Sequence, residues 1–157
     1  MTGFNAVSID DRFEFGAHRF TAEEIKRFAG LYDPQPFHTD EEAARNTLFG
    51  ALCASGWHTS AVMMRLMVDY FRRAAVDAQA RGEPAPPALG PSPGFDNLRW
   101  MRPVFVGDEI SFTGRITDKR LSQSRPGWGI VSMDVVGTNQ KGEPVFSYTG
   151  HVFMRSE

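Results

Sequence analysis

Hydrophobic and polar positions fall into three regimes along the chain. Residues 12–20 read as a short strand. They are followed by Thr21, Ala22, Glu23 and Glu24, in which Thr21 can cap a helix and Glu24 can return the bond. Ile25, Phe28, Ala29 and Tyr32 then recur at i, i+3, i+4 and i+7, so one face of that helix is predicted to be buried. After a proline-rich bend, Asp40 is a natural N-cap for a short helical turn over 41–46, with acidic residues at its positive end. Residues 48–53 form an apolar connection through Gly50. A long helix is predicted from about Ser55 to Arg81. In its first half Trp57, Ala61, Met64 and Val68 make one stripe, while Val62, Met63, Leu66, Met67 and Tyr70 fill most of the remaining circumference. A helix apolar nearly all round is expected to be buried. Beyond Phe71 it becomes amphipathic, with Arg72, Arg73, Asp77 and Arg81 outward.

Residues 83–94 contain five of the ten prolines and read as a surface loop. The remainder has strand character: 95–101, a turn at Gly107 and Asp108, alternation through Ile110, Phe112 and Ile116, a β-branched run over 128–138, a hairpin turn at Asn139, Gln140, Lys141 and Gly142, and a last strand over 145–154. One long buried helix followed by hairpin-linked antiparallel strands has a natural solution, in which the sheet curls around the helix. The expected fold is therefore α+β: a single hot-dog domain over 1–157, a curved antiparallel sheet wrapped around a long central helix. Its free edge strand is expected to pair with a second copy in a homodimer or a larger homo-oligomer.

Composition narrows the function. At 157 residues with net charge −2, the chain has room for one domain with a real core and lacks the basic field of a nucleic-acid binder. The single cysteine, Cys53, excludes an internal disulfide and any multi-cysteine metal site. No stretch is apolar enough to span a bilayer and the first ten residues lack a signal-peptide pattern, so a cytoplasmic protein is expected.

The stretch that draws the chemistry together is Tyr32-Asp33-Pro34-Gln35-Pro36-Phe37-His38. The prolines push Asp33 and Gln35 out of the α region, predicting a stiff, extended, non-helical bend with a carboxylate and an imidazole at its two ends. From spacing alone, an acid/base pair and a plain turn with a capping Asp and a surface His are equally open. This run, with Ala44 six positions after His38, resembles the hydratase signature of the MaoC-like dehydratases and (R)-specific enoyl-CoA hydratases. The downstream run Leu98-Arg99-Trp100-Met101-Arg102-Pro103-Val104-Phe105-Val106-Gly107-Asp108-Glu109 is similar to the segment that follows the central helix in that family. Tyr32 and Gln35 stand where members often carry Gly and Asn.

The resemblance implies hydration of a trans-2-enoyl-CoA to a 3-hydroxyacyl-CoA, with Asp33 as general base toward water and His38 holding the same water and passing a proton to the α-carbon, on one face. Such chemistry also needs a donor to the enolate oxygen. The N–H of Gly56, at the start of the long helix, is the candidate, and a helix-start glycine chosen for geometry is an equally open reading. Ser55 is a second candidate and Trp57 a candidate pocket wall. Arg99, Arg102 or Lys119 could meet the phosphates of coenzyme A. No metal site and no cofactor beyond the thioester substrate is expected. A thioesterase or a non-catalytic acyl-CoA-binding protein of the same fold are the alternatives. His18 and His151, without acidic neighbours in sequence, receive no role, and Asp96, Asp108 and Asp118 read as turn or surface carboxylates.

Overall fold

The computed structural model describes residues 3–84 and 90–156, so part of the proline-rich loop lies outside the described residues. The chain opens with a 3-10 turn at Gly3–Ala6, then β1 (Arg12–Arg19), α1 (Ala22–Tyr32), α2 (Pro36–Thr39), α3 (Glu41–Arg45), α4 (Gly56–Ala80), β2 (Gly94–Trp100), β3 (Glu109–Leu121), β4 (Trp128–Thr138) and β5 (Pro144–Arg155). The strands make one antiparallel sheet in the order β1-β3-β4-β5-β2. This is the expected sheet curved about a long helix. The β3–β4 and β4–β5 neighbours follow from short connections, whereas the pairing of β1 with β3 crosses the whole helical region and had no local signal.

Alternation sets the two faces of the sheet. Ile110, Phe112 and Ile116 of β3, Val131, Met133 and Val135 of β4, and Val145, Phe146 and Met154 of β5 are buried. From α4, Met63, Met67 and Phe71 complete that core, with Phe71 tilted 5.3 Å from Phe13 of β1. Each fully buried side chain of this size contributes about 1.5–3 kcal/mol. β1 slips register between Glu14 and Gly16, and Gly16 takes φ 109°, a value that suits glycine at the kink where the strand bends over the helix.

Four expectations need correction. Tyr32 is 71% exposed; Ile25 and Ala29 carry the buried face of α1, and the last turn projects past the core. Thr21 accepts the Glu24 N–H at 3.3 Å as a cap should, but the Glu24 carboxylate takes the Thr21 hydroxyl and a bond from His18, rather than returning to the backbone. The bend is also not wholly extended, because Pro36 begins the helical turn α2: at the first helical position its fixed φ fits and its missing N–H is not needed. Finally, α4 is not buried all round. Trp57, Met64 and Val68 are 53%, 45% and 36% exposed, because the sheet covers only the Met63–Met67–Phe71 side of the helix. Trp100 and Met101, at the end of edge strand β2, are exposed beside this stripe.

Candidate active site

The site begins where α1 is forced to stop. Asp33 closes α1 with its N–H on the Ala29 carbonyl, and Pro34 holds it at φ −153°, outside the helical region. Gln35, itself before a proline, is extended, and α2 then turns His38 inward until only 6% of it is exposed. Two backbone links fix the neighbouring wall. Cys53 N–H donates to the Phe37 carbonyl and Ala54 N–H to the Val104 carbonyl, so residues 53 and 54 lie between α2 and the segment before β3.

His38 Nδ1 lies 2.7 Å from the Cys53 carbonyl oxygen. A carbonyl only accepts, so Nδ1 carries the proton and the lone pair of the neutral ring is on Nε2. That atom stands 3.4 Å from Asp33 Oδ2. The acid and imidazole therefore converge, which decides between the two arrangements that the spacing left open. Burial raises the Asp33 pKa, but hydrogen bonds from Gln35 and Ser55 and the neighbouring His38 outweigh it, leaving the carboxyl below the usual value. Asp33 is thus an anion at neutral pH, aimed at an imidazole nitrogen that can accept or hold a proton.

Of the pair, His38 lines a cavity of about 300 Å³, together with Gly56, Thr59, Trp100, Arg102 and Val104 among others, whereas Asp33 and Ser55 lie behind its lining. Gly56 is the first residue of α4, so its N–H has no intrahelical acceptor. Its lack of a side chain has a definite cause: a Cβ there would run into the Trp100 indole. Ser55 is buried and caps α4, its hydroxyl accepting the Trp57 N–H at 3.2 Å, and its nearness helps to lower the Asp33 pKa.

Trp57 does not line this cavity. It points outward, edge-on to Trp100 at 5.0 Å, because one helical step turns it about 100° away from Gly56. Of the three cations considered, Arg102 lines the cavity and Arg99 borders a separate one. Lys119 is committed elsewhere: its Nζ donates to the Phe4 and Val7 carbonyls and sits over the Phe4 ring, pinning the N-terminal turn.

The other histidines acquire partners that sequence distance concealed. His18 pairs with Glu24 six residues on, and His151 pairs with Asp96 at 2.9 Å from 55 positions away. His58 is buried, stacked 4.7 Å from Phe28, with Nδ1 lacking a hydrogen-bond partner among the described residues. Gln35, marked in the sequence only as a departure from the family pattern, is brought into the site: its Nε2 donates to Asp33 Oδ1 at 2.7 Å, from a place two residues after the acid and between two prolines.

A five-stranded antiparallel sheet wrapped on one long helix is the hot-dog architecture. The chain belongs to the MaoC-like domain family, whose model matches residues 5–136. It is similar to the crystal structure of a MaoC-like dehydratase from Rhodospirillum rubrum, 38% identical, with TM-score 0.83, covering 98% of this chain and 96% of that one. It is also 27% identical over 141 residues to the protein YdeM of Bacillus subtilis, covering 88% of this chain and 89% of the relative. The (R)-hydratase from A. caviae involved in PHA biosynthesis shares the fold at 22% identity, with TM-score 0.64, covering 96% of this chain and 97% of that one. Family membership supports a hydratase or dehydratase role. Among the described residues, no helix is long and apolar enough to cross a membrane.

Proposed function

We propose that this protein is a hydro-lyase that adds water reversibly, in syn fashion, across the double bond of a trans-2-enoyl-CoA to give a 3-hydroxyacyl-CoA. The observation that carries the reading is the 3.4 Å approach of Asp33 Oδ2 to His38 Nε2, with His38 in turn lining a cavity that reaches Gly56 at the start of α4. Asp33 takes a proton from water, whose oxygen attacks the β-carbon. His38 Nε2 accepts a hydrogen bond from the same water and relays to the α-carbon the proton that Asp33 has taken, so both side chains end as they began. Negative charge developing on the thioester oxygen is met by the Gly56 N–H and the positive end of α4. The roles of the neighbours follow from their places: Gln35 orients Asp33, Ser55 helps keep it charged, and Arg102 offers a cation to the phosphates of the coenzyme A arm. The chemistry requires no cofactor besides the thioester itself, and the substrate class fits a cytoplasmic enzyme.

The same reading takes a second copy of the chain against the exposed Trp57, Met64 and Val68 stripe and edge strand β2, giving a homodimer with a continuous sheet. The test is loss of enoyl-thioester absorbance over a panel of chain lengths. Asp33→Asn and His38→Ala should each lower kcat at least about 100-fold while circular dichroism stays unchanged. Full activity in both variants would remove the assignment; release of free thiol without hydration would select a thioesterase instead.

A further inference from the structure

The outer face of the sheet carries a second constellation that the proposed hydratase site does not use. Ser132 on β4 and His151 on β5 are directly opposite each other in the antiparallel register, and Ser132 Oγ lies 2.9 Å from His151 Nδ1. Asp96, on edge strand β2, places Oδ2 2.9 Å from His151 Nε2. One imidazole therefore links a hydroxyl and a carboxylate drawn from three different strands. The three residues line one open cavity of about 560 Å³, together with Asp118, Arg120 and Ile130 among others. Ser132 is only 7% exposed although it faces away from the core, so its hydroxyl is held rather than freely solvated.

The assignment of protons follows from the partners. A carboxylate only accepts, so Nε2–H donates to Asp96 and neutral Nδ1 is left to accept the Ser132 hydroxyl. This is the nucleophile, base and orienting acid arrangement of serine hydrolases, recognised by geometry and role, not by fold.

We propose that Ser132, His151 and Asp96 form a second catalytic centre that hydrolyses small carboxylic esters. Ser132 Oγ attacks the ester carbonyl and its proton passes to His151 Nδ1, while Asp96 steadies the imidazolium. The carbonyl oxygen, carrying the displaced electron pair, meets the positive charge that Arg120 brings to the same cavity. The bond to the leaving alcohol then breaks, the alcohol takes the proton back from His151, and an acyl-serine remains. Water attacks that acyl group with His151 again accepting the proton, and the departing Ser132 oxygen recovers it. The balance is ester plus water to acid plus alcohol, with no redox change. Ser132 and His151 are the catalytic residues; Asp96 is a positioning residue.

The experiment uses the full-length protein with a fluorophosphonate probe and 4-nitrophenyl acetate. The probe is expected to label Ser132, located by peptide mass spectrometry. Ser132→Ala and His151→Ala should lower ester turnover at least about 100-fold. Asp33→Asn and His38→Ala should leave it unchanged, which separates this site from the hydratase reading. Asp96→Ala should lower turnover and Asp96→Glu should restore part of it, which a merely structural carboxylate would not do. Absence of probe from Ser132 in the unaltered protein overturns the proposal whatever the variants do, as does unchanged turnover in Ser132→Ala.

Discussion

Gln35 Nε2 donates to Asp33 Oδ1 at 2.7 Å, leaving Oδ2 to face His38. The longer arm of Gln35 thus reaches back across Pro34 to hold the carboxylate from the side opposite the imidazole. This bond helps keep Asp33 ionised, against the upward push of its partial burial.

Removing it has a signed consequence. A base must be ionised, so under the proposed mechanism hydration falls as pH drops through the Asp33 pKa, which the structure places below the usual carboxylate value. Gln35→Ala removes a stabiliser of the charged form, raises that pKa and should move the acid limb of kcat/KM to higher pH. Stability follows the same sign. A carboxylate with a depressed folded pKa contributes stability above its unfolded pKa and loses it as pH falls through the folded one, so Gln35→Ala should also flatten the acid end of the stability curve. Overlapping pH–rate profiles for parent and variant would show that the bond does not tune the base.

Gly56 is tied to Trp100 in a way that substitution can measure. Gly56→Ala drives a methyl group into the indole and should cost about 1–3 kcal/mol by the usual penalty for overpacking. Trp100→Leu removes the obstacle, so the double variant should lose less than the two single losses combined. Denaturant unfolding of the four proteins gives the coupling directly, and additive losses would mean the two residues do not compete for that space.

Local chemistry made much of this molecule legible in its sequence. The caps at Thr21 and Asp40, the span of α4, the hairpin at residues 139–142 and the convergence of Asp33 with His38 all depend on residues close together in the chain, where proline geometry or periodicity dictates the outcome. What could not be read was set by tertiary placement. Trp57 has the same apolar character as Met63, and only the curl of the sheet decides that one is exposed and the other buried. The partners of His18, His58 and His151 depend on strand register and helix docking, and neighbouring sequence carries neither. Lys119, one of three cations the sequence left open, is likewise placed by tertiary structure: its ammonium donates to two carbonyls of the N-terminal turn.

His58 predicts a pH-dependent weakness in the fold. Its ring is buried between Phe28 and Phe20. Burial lowers its pKa, Glu24 raises it in part, and His18 and Arg27 add to the lowering. The unfolded chain therefore takes up a proton before the folded protein does, and stability should begin to fall as pH drops below about 6.5, the loss being complete below the folded pKa. His58→Phe keeps a ring against Phe28 and removes both the titration and the unpaired Nδ1, whose burial costs about 1–3 kcal/mol. The variant should be at least as stable as the parent at neutral pH and gain on it in acid. Urea unfolding at pH 7.5 and 5.5 provides the comparison, and an equal loss in both proteins would place the acid sensitivity elsewhere.

The exposed stripe of α4 gives the proposed dimer its sharpest test. Met64 lies in the middle of a face shared with Trp57 and Val68, alongside Trp100 of the free edge strand. An unpaired carboxylate buried there would destabilise an assembled pair by about 3–5 kcal/mol, more than a hundred-fold in Kd, yet leave the separate protomer folded because position 64 is solvent-exposed in it. Met64→Glu should therefore convert a dimer to a monomer with an unchanged far-ultraviolet spectrum. Val76→Glu serves as the control: Val76 is 60% exposed on the same helix but about 100° round from the stripe, and its change should leave the dimer intact. Light scattering on the parent and both variants reads the mass. A parent that is already monomeric, or a Met64→Glu protein that stays dimeric, would mean the two copies do not meet on this face.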